Sequence, residues 1–211
     1  MKLQKLSTAL KILTFAVAAV FAAIPASAAR PAAKSVIEAT AKKLREMPSM
    51  TATFKVVQGR DASQGSLTVS GRSFTVTTPE MKIWYDGKTQ WAYSPSAKEV
   101  NVTTPTAAEV AESNPLSVLT ALTQSYTCRR LSSTAAVDKI ELTPRNKTDI
   151  SKAVISVNVS TGMPTEILAY RANGAVTKIQ ILAVKAGKKL AASAFRFNQK
   201  QYPGVEVVDL R

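Results

Sequence analysis

Apolar residues alternate with polar ones over much of the chain from Met50 onward, at the period of two that marks a half-buried strand. The pattern is densest in residues 74–102, where a strand-forming run is broken only by Asp86-Gly87 and by Ser94-Pro95-Ser96-Ala97-Lys98. Asp-Gly between two aromatic-rich runs predicts a tight hairpin, since such turns need a positive φ that glycine adopts freely. Counting outward from a two-residue loop at Asp86-Gly87 pairs Tyr85 with Lys88, Trp84 with Thr89 and Lys82 with Trp91. Trp84, Trp91 and Tyr93 then share one face of the ribbon. Such a cluster is ordinary β core if another layer covers it, and a binding surface if it faces a hollow.

Before this hairpin, the stretch between Pro31 and Pro48 predicts an amphipathic helix, with Val36, Ile37, Ala41 and Leu44 at near-helical spacing. Residues 50–57 form a strand with Met50, Ala52, Phe54 and Val56 on one face. Residues 65–70 and 73–78 pair about Gly71-Arg72, with Leu67 and Val69, then Phe74 and Val76, as their apolar positions. A strand around Val100 and Val102 follows. Residues 106–123 break the β pattern. Thr106 and Glu109 stand at capping-box spacing, and Pro115 opens a second short helix with Leu116, Leu119 and Leu122 on one face. A helix docked on a sheet is the plain reading of that stretch. Strands resume at residues 137–143, 153–159, 165–171, 176–184, 194–197 and 205–208, with turns at Thr161-Gly162 and Asn173-Gly174. Many consecutive antiparallel strands and few helices predict a mainly β, α+β domain. Its sheet is strongly curved or closed toward a barrel, with an apolar concave face that the helices cover only in part.

The first 28 residues change the picture of where the chain works. They carry Lys2, Lys5 and Lys11 and no acid, then an apolar centre, then Ala26-Ser27-Ala28, the pattern of a secretory signal peptide cleaved before Ala29. A membrane anchor is the alternative, but the apolar stretch is short for a bilayer span and Pro25 precedes small residues. The expected division is a leader at 1–28 and one domain at 29–211, long enough for a sizeable core. Ala29, and not a cysteine, follows the cleavage position, so the mature chain is expected to be soluble and unlipidated. Cys128 is the sole cysteine; it cannot form an internal disulfide and reads as a buried or half-buried strand residue.

Charge and residue types narrow the function. Removing the leader lowers the formal charge from +14 to +11. The basic residues are scattered, with only short pairs such as Arg129-Arg130 and Lys188-Lys189, and no recognition motif stands out. That favours a solvated surface drawn to anionic membranes or to an acidic protein partner, and not nucleic acid. The absence of histidine removes Ser-His and Cys-His nucleophile systems and the usual zinc sites. No Gly-rich phosphate loop is present, and the acids are mostly isolated, although two carboxylates could still meet in space. The chain is expected to be no enzyme and to need neither cofactor nor metal.

Pro79, then Asp86-Gly87-Lys88-Thr89-Gln90-Trp91, Tyr93 and Glu99-Val100, resembles the corresponding hairpin of the LolA family, periplasmic carriers of outer-membrane lipoproteins. The resemblance continues through Met50-Thr-Ala-Thr-Phe54, Asn114-Pro115-Leu-Ser-Val-Leu119 and Leu142-Thr143-Pro144. It ends with Phe195, Phe197, Pro203-Gly204-Val205, Val207 and Asp209, and the order of these segments carries it more than any one of them. It implies an incomplete, strongly curved antiparallel β-barrel with an N-terminal helix and short lid helices over its mouth. It also implies a periplasmic monomer that shields the acyl chains of lipoproteins and carries them from the inner to the outer membrane. Loading would come from an inner-membrane ABC-type lipoprotein-releasing transporter, and delivery would be to an outer-membrane receptor or to the outer membrane itself. A same-fold lipid- or lipoprotein-sensing regulatory module of the envelope is the alternative. On this resemblance Phe54, Leu67, Val69, Phe74, Val76, Trp91 and Tyr93 line the acyl-chain cavity, and Leu116, Leu119 and Leu122 form the inner face of the lid. Arg72 stands where the family has an arginine that bonds lid carbonyls and holds the lid shut. Ser73 replaces the proline that usually follows it, and the stretch to Asp86 is shorter, so a plain surface arginine is the other reading.

Overall fold

The structure, a computed structural model, describes residues 30–107, 109, 110, 126–147 and 149–211. Helix α1 (Ala33–Arg45) buries Ile37, Thr40, Ala41 and Leu44, one stripe at helical spacing. Lys42, Lys43 and Arg45 in its last turn suit the negative end of the helix dipole. Pro48 lies just beyond the helix, and the chain passes directly into the sheet.

Twelve strands follow among the described residues: β1 (Ser49–Gln58), β2 (Asp61–Ser70), β3 (Ser73–Thr77), β4 (Lys82–Tyr85), β5 (Gln90–Ser94), β6 (Glu99–Thr103), β7 (Tyr126–Ser133), β8 (Val137–Pro144), β9 (Ile150–Asn158), β10 (Pro164–Arg171), β11 (Val176–Gly187) and β12 (Glu206–Asp209). They form one sheet in the order β12-β6-β5-β4-β3-β2-β1-β11-β10-β9-β8-β7. All pairings are antiparallel except β12 with β6. The sheet is curved and stays open, with β12 and β7 at its two edges. This is the incomplete antiparallel barrel expected from the sequence. Helix α1 packs at the β7 end.

Alternation sorts the side chains into two layers. One face carries Met50, Ala52, Phe54, Leu67, Phe74, Val76, Ile83 and Tyr85 from the first half of the sheet, and Ile140, Leu142, Ile155, Val157, Ile167 and Ile179 from the second. Ile37 and Leu44 of α1 close over this layer, and Cys128 of β7 packs half-buried against it. The opposite face carries a smaller cluster of Val100, Val102 and Val205, joined by Trp91, Tyr93, Phe197 and Tyr202.

Four details differ from the sequence reading. In the β4–β5 hairpin the loop is Gly87-Lys88, because the Asp86 carboxylate accepts hydrogen bonds from the backbone N–H groups of Lys88 (3.1 Å) and Thr89 (2.9 Å). Gly87 takes the positive φ, 100°. Trp84 therefore pairs with Trp91, and Lys82 with Tyr93. The slip is two residues, so every side chain keeps its face. Strand β7 begins at Tyr126, before residue 137, where the sequence pattern has strands resume. Residues 192–195, with Ala194 and Phe195 expected in a strand, form a 3-10 turn that buries Phe195. In β11 the pairing with β1 shifts between Thr53–Ala183 and Phe54–Ile181, which leaves Leu182 as a bulge. Ile179 and Ile181 face the main core before the bulge and Val184 after it. A bulge bends its strand, and this one sits next to the central pair of the sheet.

Gly65 is fixed by close approach. A Cβ there would stand 2.6 Å from the carbonyl oxygen of Thr77 and 2.7 Å from the ring of Phe54, its cross-strand partner. Gly65→Ala should cost about 1–3 kcal/mol by overpacking, read as a lower urea midpoint with an unchanged slope.

Candidate functional site: an apolar cavity at one end of the sheet

Strand register builds the site. Met50 pairs with Val69, Val69 with Phe74, Phe74 with Tyr85 and Tyr85 with Gln90, one row of neighbours across β1 to β5. The next row is Ala52, Leu67, Val76, Ile83 and Ala92, and Phe54 lies beyond it opposite Gly65. The first row opens into a cavity of about 660 Å³. Leu44 in the last turn of α1 and Met47 just beyond it wall one side, and Pro105, Ala107 and Val110 wall another. The Phe74 and Tyr85 rings lie 5.2 Å apart and tilted by 39°. At the end of the row Gln90 Oε1 is buried with no hydrogen-bond partner among the described residues.

The wall made by Pro105, Ala107 and Val110 begins with a capping box. Thr106 N–H and Oγ1–H both donate to Glu109 Oε2 (2.7 and 2.8 Å), and the Glu109 N–H reaches back to Thr106 Oγ1 (3.4 Å). These bonds from Thr106 hold the Glu109 carboxyl below its ordinary range. The Thr106–Glu109 spacing read in the sequence thus starts a helical turn against the cavity.

The seven predicted lining residues divide by depth and by face. Val69 and Phe74 line the cavity. Phe54, Leu67 and Val76 share their face but lie in the packed rows behind, with Leu67 completely buried. Trp91 and Tyr93 are on the other side of the sheet, against the C-terminal segment. Tyr93 meets Tyr202 at 4.9 Å, and Trp84 meets Phe197 and Tyr202 at 5.6 Å each. Their aromatic cluster is therefore a covered minor core and not a cavity wall. Leu116, Leu119 and Leu122 fall outside the described residues. Arg72 is exposed at the cavity lip on the Gly71-Arg72 turn, and no hydrogen bond or ion pair links it to another described residue. The carbonyls expected to receive a latch from it belong to the stretch outside the described residues. Leu44, Met47, Met50 and Tyr85 are lining residues that the sequence reading did not assign. Tyr85 was within reach of it, since it alternates with Trp84 and so must face away from the tryptophan.

The β4–β5 turn adjoins the β2–β3 turn: a Cβ on Gly87 would lie 3.8 Å from the Cβ of Arg72. The turn is tied to the C-terminal segment through Asp86 Oδ2, which accepts from Arg196 Nε at 2.9 Å. Burial opposes ionisation of Asp86. The hydrogen bonds from Thr89, Lys88 and Arg196 outweigh it and hold the carboxyl below its ordinary value of 3.8. A depressed carboxyl stabilises the fold fully above the unfolded value, and the contribution is lost as pH falls through the folded one. Asp86→Asn should therefore be less stable than the native protein at neutral pH, with the gap closing below about pH 4. Denaturation midpoints of both proteins across the acid range measure this.

Residues 23–172 match the family described as "Outer membrane lipoprotein carrier protein LolA". The chain belongs to that family. It is 29% identical, over 182 residues, to an outer-membrane lipoprotein carrier protein of Proteus mirabilis, covering 81% of this chain and 86% of that one. Among solved structures, an uncharacterized conserved protein of Thermus thermophilus superposes with a TM-score of 0.58 at 11% identity, covering 85% of this chain and 99% of the other. The MucB protein in the Pseudomonas aeruginosa MucA/MucB complex gives a TM-score of 0.49 at 14% identity, over 80% of this chain and 62% of that one.

Proposed function

We propose that this protein is a non-catalytic periplasmic chaperone that shields lipoprotein acyl chains in its apolar cavity and moves them between the inner and outer membranes. The observation that carries this reading is the cavity bounded by Met50, Val69, Phe74 and Tyr85 on one face of the open sheet and by Leu44 and Val110 packed beside them. Each buried CH₂ is worth about 0.8 kcal/mol, so leaving three acyl chains in water would cost on the order of tens of kcal/mol. A lipoprotein cannot cross an aqueous compartment unaided against that cost. With a methylene close in size to the ~30 Å³ of a water molecule, the cavity of about 660 Å³ holds roughly one chain as it stands. A triacylated cargo therefore needs the cavity to widen, and the free energy of widening lowers the net affinity. That suits a carrier, which must release what it holds. An ABC-type transporter would drive loading, and the outer membrane or a receptor in it would accept the cargo. Residues 1–28 are on this reading a leader removed before Ala29. Comparing complex formation with acylated and non-acylated forms of one lipoprotein tests the proposal.

A further inference from the structure

Beside the cavity lies a second hollow, a cleft of about 400 Å³ between the end of α1, the β2–β3 turn and the segment 189–195. The two hollows share Arg45, Met47 and Gly71 as a common wall. Three exposed cations surround this junction: Arg45 on both hollows, Arg72 on the cavity and Lys189 on the cleft. Elsewhere some cations are matched, as in Arg129 with Glu141, Lys178 with Glu166 and Arg196 with Asp86, and others, such as Lys55, Lys88 and Lys185, stand on surface that lines neither hollow. None of the three rim cations forms a side-chain hydrogen bond or ion pair with a described residue. Glu46, the acid in the cleft, is turned to Lys42 at 3.7 Å. An apolar hollow edged by positive charge that no described residue pairs complements an amphiphile with an anionic head.

We propose that Arg45, Arg72 and Lys189 bind the headgroup of an acidic glycerophospholipid whose acyl chain enters the adjoining cavity. The inference rests on the reading that the cavity takes acyl chains, and adds a second ligand class to it. The acylated cysteine of a lipoprotein has no phosphate, so the rim cations have no counterpart in that cargo. A phosphodiester offers two anionic oxygens, which arginine forks bind in bidentate fashion and lysine binds as a point charge. A zwitterionic headgroup brings its own ammonium toward the same cations and gains less. The phospholipid and the lipoprotein chain compete for one cavity.

Calorimetric titration with monomeric dioctanoyl phosphatidylglycerol and dioctanoyl phosphatidylcholine tests this. The native protein should bind the acidic lipid at least tenfold more tightly, with a preference that shrinks as salt rises. The triple variant Arg45→Gln, Arg72→Gln, Lys189→Gln, at an unchanged melting temperature, should bind both lipids alike. Inorganic phosphate should bind at least a hundredfold more weakly than phosphatidylglycerol, since it lacks the chain. Equal affinity of the native protein for the two lipids, a preference retained by the triple variant, or phosphate bound as tightly as the lipid would each overturn the headgroup site. If neither lipid binds while a triacylated lipoprotein still does, the phospholipid proposal fails alone. If the lipoprotein fails as well, the cavity reading falls with it.

Discussion

Val69→Glu should abolish acyl-chain capture while the protein stays folded. Val69 lies in the row that opens into the cavity, between Met50 and Phe74, and is partly exposed. A carboxylate there remains hydrated until a chain arrives. Capture must then strip water from a carboxylate set between the side chains of Met50 and Phe74, at a cost of several kcal/mol. Each 1.4 kcal/mol is about a factor of ten, so affinity should fall at least a hundredfold. The same substitution one pair deeper has a different outcome. Leu67 is fully buried in the second row, and Leu67→Glu should unfold the domain. Lys88→Glu, on the hairpin turn, should change neither property. Fluorescent fatty-acid titration with circular dichroism on the three variants separates these effects. Native-like capture by Val69→Glu would remove the first row from the binding surface.

The second large effect lies on the opposite face. Trp84→Ala should cost about 3–5 kcal/mol of stability and leave acyl capture by the folded protein unchanged. Trp84 is 5% exposed and its ring meets Phe197 and Tyr202 edge-on, with Lys82 Nζ 4.8 Å above its centre. Truncation would leave a void between the sheet and the C-terminal segment that those rings cannot fill. Urea denaturation should show a lowered midpoint with the native slope. Reduced chain affinity at a temperature where Trp84→Ala is fully folded would mean that the two faces communicate.

The reason such residues had to be sorted by structure is physical. Alternation assigned Phe54, Leu67, Val69, Phe74 and Val76 to one face correctly, because the period of a strand leaves no other choice. It carries no information on depth. Leu67 and Val69 differ only in which cross-strand row they join, and the row depends on pairings as distant as Met50 with Val69. Trp84, Trp91 and Tyr93 were likewise placed together correctly, since a two-residue slip of the hairpin preserves their side. Their side of the sheet was not legible. Both layers at this end are apolar, and the cover over the tryptophans comes from Phe197, Tyr202 and Val205, more than a hundred residues later for Trp84. Parity also hid the bend in β11, because Leu182 is apolar and a bulge reverses the alternation without changing composition. Helix α1 and the Thr106–Glu109 cap were readable because their signals are local.

The most direct test of the carrier reading is a pull-down with purified protein lacking residues 1–28. The bait is offered a triacylated lipoprotein in detergent below its micelle concentration, or the same polypeptide without its acyl chains. Apolar burial at about 0.8 kcal/mol per CH₂ dominates any contact with the polypeptide. The account therefore predicts a soluble complex with the acylated form and none with the bare polypeptide. Equal retention of the two forms would contradict it and make the protein a polypeptide-binding module on the same fold.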